Sequence, residues 1–175
     1  CSKDSARVAN EVTLHFKNTF KGENIVLGDA TSLSASVNTS AVKQTHHFSE
    51  LRYVISNIIL IKDDGSEIPY NINNLDIGAR VVDQSKPQTL DFKLENIPIG
   101  QYKGIRFGLG VRTELNKLDE TRFPVFYKQA GANDTKMHWE WGTGYRFTKI
   151  EGFYGIENKE LSIHAGSTLS GKIED

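Results

Sequence analysis

The sequence predicts an all-β protein, an antiparallel β-sandwich with short helical insertions. Three observations carry that prediction. Short segments alternate apolar and polar residues with the two-residue period of a half-buried strand. Turn-forming Gly, Pro, Asp and Asn separate these segments at close intervals. Only Arg112 to Glu120 carries a helical period, and it is short.

The elements follow in order. Val12-Thr13-Leu14-His15-Phe16 alternates as a strand and turns His15 towards solvent. Glu23 to Leu27 follows a turn at Lys21-Gly22. Leu51 to Ile61 is rich in β-branched residues and runs into Asp63-Asp64-Gly65, a hairpin signal. Thr89 to Leu94 alternates, and Tyr102 to Val111 follows the turn Ile97-Pro98-Ile99-Gly100. Lys136 to Trp141, Tyr145 to Phe153 and Glu160 to His164 complete the predicted strands. Strands at this spacing favour a sandwich over a parallel α/β fold.

A chain of 175 residues suits one domain, here residues 11–175 behind a polar tether at 1–10. Hydrophobic residues at 38% and charged residues at 25% describe a globular chain that needs no disulfide to fold. A mean hydropathy of −0.43 argues against a transmembrane helix. The longest apolar run, Val54 to Ile61, is short and interrupted by Ser56 and Asn57. With 21 basic and 22 acidic residues there is no cationic excess to grip a phosphate backbone, which argues against a nucleic-acid partner. The single cysteine rules out an internal disulfide and a multi-thiolate zinc site. That cysteine is Cys1, followed by Ser2-Lys3-Asp4-Ser5. This reads as the start of a processed bacterial lipoprotein, lipid-anchored through Cys1, and places the domain in the cell envelope.

Met137-His138-Trp139-Glu140-Trp141 holds both tryptophans, the only methionine and one of five histidines. On a strand, Met137, Trp139 and Trp141 share one face and His138 and Glu140 the other. A core strand with aromatics packed beneath Tyr145 and Phe147 accounts for the same pattern. Leu161-Ser162-Ile163-His164-Ala165-Gly166 ends a strand on a histidine, which alone is as readily structural. Two histidines joined by strand pairing would suit copper, zinc or nickel. His46 and His47 are adjacent, so they point to opposite faces and make a poor site for one ion. The serine-hydrolase, zinc-protease and nucleotide-loop motifs are missing, which leaves no specific reason to read an enzyme.

The segments LRYVISNIILIKDDG, IPIGQYKGIRFGLGV, MHWEWGTGYRFTKIEG and LSIHAG together resemble the MbnP-like family in order and spacing, over about Val12 to Gly166. These are periplasmic or surface proteins with copper-binding relatives. The resemblance implies a β-sandwich whose copper site uses histidines and, in some members, a tryptophan oxidised to kynurenine by a diheme c-type peroxidase-like partner. Carried over by position, it implies His138 and His164 as metal ligands and Trp139 or Trp141 as the modified or supporting residue. Phe16-Lys17-Asn18 departs from the F-x-H that some members carry, so no third imidazole is implied there. The function implied is an outer-membrane lipoprotein, facing periplasm or surface, that captures, stores or delivers copper. Two other readings stay open: a glycan- or peptide-binding module with Trp139, Trp141 and Tyr145 as an aromatic platform, and a structural domain without metal. Burial separates the platform from the core reading.

Overall fold

The computed structural model describes residues 10–33, 38–139 and 144–167. It is an antiparallel β-sandwich, as the alternation predicts. The strands are β1 (Asn10–His15), β2 (Thr19–Phe20), β3 (Glu23–Asn24), β4 (His46–Lys62), β5 (Glu67–Tyr70), β6 (Arg80–Asp83), β7 (Asp91–Ile97), β8 (Tyr102–Leu109), β9 (Arg146–Tyr154) and β10 (Lys159–Gly166). Three short helices interrupt them: α1 (Leu75–Gly78), α2 (Thr113–Asn116) and α3 (Pro124–Ala130). Asn10, placed in the tether by composition, already belongs to β1.

The 17-residue strand β4 organises the larger sheet. Its first half pairs with β9 on one side, from His46 opposite Tyr154 to Tyr53 opposite Thr148. Its second half pairs on that side with β8, from Ile55 opposite Leu109 to Lys62 opposite Tyr102. On the other side β6 takes Arg52 to Ile55, and β5 takes Ile58 to Ile61. β10 extends the sheet beyond β9. A second sheet of β1 and β7 closes the sandwich, while β2 and β3 form a separate small hairpin.

A strand paired on both sides and covered on both faces must be apolar almost throughout. Ile55, Ile58 and Leu60 pack with Val82, Phe92, Leu94 and Ile97 between the two sheets. The step from Ile55 to Ile58 breaks a strict period of two. The register with β8 shifts between Ser56 and Ile59, and Asn57 has φ of 52°, so a bulge keeps both isoleucines on one side. Nearer the strand's start, Phe48 and Leu51 pack with Ile25, Phe20 and Ile150. The opposite face carries Val54, which joins Leu75, Val81, Phe126, Ala130, Met137 and Tyr145 in a core beneath α1 and α3. α3 begins at Pro124, whose fixed φ suits a first helical turn, and Phe126 N–H donates to Asp76 Oδ1 at 2.8 Å.

Two expectations are corrected. Of the expected strand Lys136 to Trp141, the described part, residues 136–139, is not one: Lys136 has φ of 47°, and one isolated bridge, His138 to Tyr145, is the extended pairing seen there, while residues 140 and 141 lie outside the described residues. Arg112 to Glu120 is not one helix but α2 followed, after Asp119, by a 3-10 turn at Glu120–Arg122.

Gly152 of β9 lies against β4 so closely that an added Cβ would meet His47 O at 1.9 Å. Backbone cannot yield as a flexible side chain can. Gly152→Ala is therefore expected to destabilise the fold by about 1–3 kcal/mol in chemical denaturation. Gly104→Ala, whose Cβ would meet its first neighbour at 3.9 Å, should leave the midpoint nearly unchanged.

Candidate metal centre

Residues 130–139 lie across the face of β4 that carries Val54. Thr135 ties this segment down: its hydroxyl donates to Gln129 O at 2.7 Å, and its carbonyl accepts from Arg52 Nη1 at 3.0 Å. Met137 then enters the core, fully buried. Gly144 and Tyr145 return the chain beside it. Trp139 N–H donates to Gly144 O at 2.9 Å, and Tyr145 N–H donates to the buried Asn116 Oδ1 at 2.8 Å. Gly144 has φ of 88°, and a Cβ there would strike the Asn116 amide at 2.6 Å.

Successive residues of this segment point to opposite sides. Trp139 reaches the edge strand β10, where its ring meets His164 edge-on with centroids 6.2 Å apart. The Arg146 guanidinium lies over the Trp139 ring at 4.1 Å, a cation–π contact. His138 turns the other way, into a box formed by Tyr127 at 5.3 Å and Tyr145 at 5.0 Å, both edge-on. Burial holds the His138 pKa below its usual value, against the opposing pull of Glu120. Burial likewise pushes Tyr145 up to about 12, with Glu120 adding to it.

The structure places the two expected ligands, His138 and His164, in different clefts. His138 lines a cleft with Asn116, Asp119 and Glu120. His164 lines another, of about 490 Å³, with Glu50, Lys149, Glu151, Asp134 and Arg146. Trp141 and Cys1 lie outside the described residues. His15 is exposed, as its alternation predicts, and pairs with Asp91 at 2.7 Å. His47 Nδ1 contacts Asp29 O at 3.1 Å, while the His46 ring stacks on Phe48.

The cleft at His164 is built from paired strand positions. Asp83 of β6 is opposite Arg52 of β4, Arg52 is opposite Lys149 of β9, and Lys149 is opposite His164 of β10. In the adjacent row Glu50 is opposite Glu151, and Glu151 opposite Ser162. Paired residues share a face, so acids and bases of neighbouring rows interlock. Arg52 donates to Asp83 at 2.9 Å and to Glu50 at 2.9 Å. Lys149 donates to Glu50 at 2.5 Å and lies 3.5 Å from Glu151. His164 Nε2 contacts Glu151 Oε1 at 2.7 Å. Burial raises the Glu151 pKa, but the His164 hydrogen bond and Lys149 charge outweigh it and hold the carboxyl below its usual value.

Among the described residues no three His, Cys, Asp or Glu side chains group closely enough to hold a metal ion. One imidazole is nonetheless presented as metal-ligating histidines are, with its second nitrogen held by a carboxylate. Imidazole is a donor that suits copper, so the chemistry at His164 fits that metal. Glu50, Lys149 and Glu151 in the cleft, and the buried Arg52 behind them, are the residues that sequence reasoning missed. Each alternates with an apolar neighbour, which reads as a solvated strand face.

The ten strands among the described residues and the long shared strand β4 define an antiparallel β-sandwich domain. The chain belongs to the MbnP family, whose model matches residues 9–173. Among solved structures it is similar to MbnP from Methylosinus trichosporium, with a TM-score of 0.57 and 16% identity. The match covers 91% of this chain and 63% of that one, so the chain spans less than two thirds of that protein's length. At that identity the likeness speaks for the fold. The search of curated proteins finds no match.

The depressed pKa of His138 has a consequence for stability. The folded state resists protonating this ring, which faces Tyr127, Tyr145 and Glu120, while the unfolded chain takes up its proton near pH 6.5. The stability contribution is thus complete above that pH and is lost as pH falls towards the lower folded value. His138→Gln is expected to flatten the pH dependence of Tm below about pH 6.5, as thermal melts of both proteins would reveal.

Proposed function

We propose that this chain is an extracytoplasmic copper-binding protein that captures, stores or delivers the metal and has no catalytic role of its own. The observation that carries the reading is the contact between the His164 and Trp139 rings. The resemblance implies one as a ligand and the other as a modified or supporting residue, and the two meet. Family membership over nearly the whole chain supports the same reading. His164 is the ligand this geometry favours, with Glu151 behind it and Trp139 beside it. Anchoring through a lipidated Cys1 to the outer membrane, facing periplasm or surface, belongs to this proposal. So does oxidation of Trp139 or Trp141 by a diheme c-type peroxidase-like partner. No helix among the described residues is long and apolar enough to cross a membrane. The aromatic-platform alternative loses support, because Tyr145 is 2% exposed and Arg146 covers one face of Trp139.

Copper titration with metal analysis is expected to give one ion per chain, with binding weakening as pH falls through the histidine range near 6.5. His164→Ala should abolish tight binding, and the double change His46→Ala, His47→Ala should leave it intact. Wild-type affinity in the His164 variant would overturn the site.

The anchor is tested separately. The native protein should partition with membranes and Cys1→Ala should release it. An unmodified Cys1 in a freely soluble native protein would overturn that part of the proposal.

A further inference from the structure

The row of charges behind His164 does more than neutralise itself. A carboxylate accepts hydrogen bonds and cannot donate, so the 2.7 Å contact of Glu151 Oε1 with His164 Nε2 places the ring proton on Nε2. In the neutral ring the lone pair then sits on Nδ1. Glu151 is itself anchored. Lys149 Nζ lies 3.5 Å from its carboxylate and donates to Glu50, which also accepts from Arg52. Arg52 ends the chain on Asp83, which is 1% exposed and held by Ser85 through its other oxygen at 2.6 Å. A rigid, buried ion pair at the centre of the sheet thus sets side-chain positions out to its edge. Arg146 lies on the Trp139 ring and donates to Lys136 O at 2.5 Å.

We propose that Glu151 is the positioning residue of the His164 site, fixing the Nε2-protonated tautomer and presenting Nδ1 as the donor nitrogen. This rests on the copper reading for its purpose, and on the hydrogen-bond geometry alone for the tautomer. Removing such a carboxylate costs metal-ligating histidines about 10–100-fold in affinity. Charge and hydrogen bond contribute separately. Glu151→Gln keeps an accepting oxygen without the charge, whereas Glu151→Ala removes both.

The test uses the full chain, first without metal. Long-range proton–nitrogen NMR of the histidine rings should find His164 protonated at Nε2 in wild type and in Glu151→Gln. It should find a tautomer mixture in Glu151→Ala, with resonance dispersion elsewhere unchanged. Competition titration with Cu(I) should then give a 10–100-fold loss in Glu151→Ala and a smaller one in Glu151→Gln. A wild-type ring protonated at Nδ1, or one tautomer shared by wild type and Glu151→Ala, overturns the proposal. If the tautomer responds as expected but His164→Ala binds copper like wild type, the copper reading fails and the positioning role of Glu151 stands without it.

Discussion

β4 is hydrogen-bonded along both edges and packed on both faces, and the rest of the molecule is arranged to satisfy it. Four strands divide its two edges between them: β9 and β8 on one side, β6 and β5 on the other. A straight alternating strand could not serve all four. The register shifts between Phe48 and Glu50 and again between Ser56 and Ile59, so each half presents its large side chains to a different set of partners. The buried Ser56 hydroxyl at the second shift is satisfied by Gly110 O at 2.6 Å, so the irregularity leaves no unpaired hydroxyl.

The same strand explains why a polar cleft exists beside a hydrophobic core. Val54 and Arg52 are two residues apart and share a face, yet one lies under α3 and the other in a network of charges. Taking Arg52, Asp83 and Lys149 out of water is costly, and each individual pair would barely repay its desolvation. The lattice repays it collectively, because Glu50 accepts from both cations and Arg52 also satisfies the Thr135 carbonyl. That last bond fixes the segment bearing Met137, His138 and Trp139. Core and cleft are consequently coupled, and Arg52 links them through its bonds to Glu50 and the Thr135 carbonyl.

Much of this was legible in residue order, and the exceptions have physical causes. The β-branched run at Leu51 to Ile61 marks a buried strand, but the pattern underestimates it because bulges interrupt the alternation. β5 escapes notice because Pro69 argues against a strand, although a four-residue edge strand tolerates a missing donor. α3 is short, and with Phe126 and Ala130 as its buried residues it offers too little periodicity to read. At the site, His164 and Trp139 are recognisable by type and by resemblance. Their contact depends on the pairing of β9 with β10, and register is a property of two strands that one string of residues does not display. Glu151 is hidden for the same reason. Only its place opposite Ser162 and diagonal to His164 distinguishes it from any solvated glutamate.

The span of β4 also orders events in time. Its first residue, His46, pairs with Tyr154, a separation of 154 − 46 = 108 residues, and all four of its partner strands follow it in the chain. Closing so long a loop must precede the contacts that reward it, and topologies dominated by such distant pairings fold in about milliseconds to seconds. A growing chain therefore carries the apolar run Val54 to Ile61 with one edge open until β8 has followed, and the first half of β4 waits longer still, for β9. Such a run is sticky during that interval. The order of synthesis limits that exposure, because β5 and β6 cover the other edge of the run before β8 arrives.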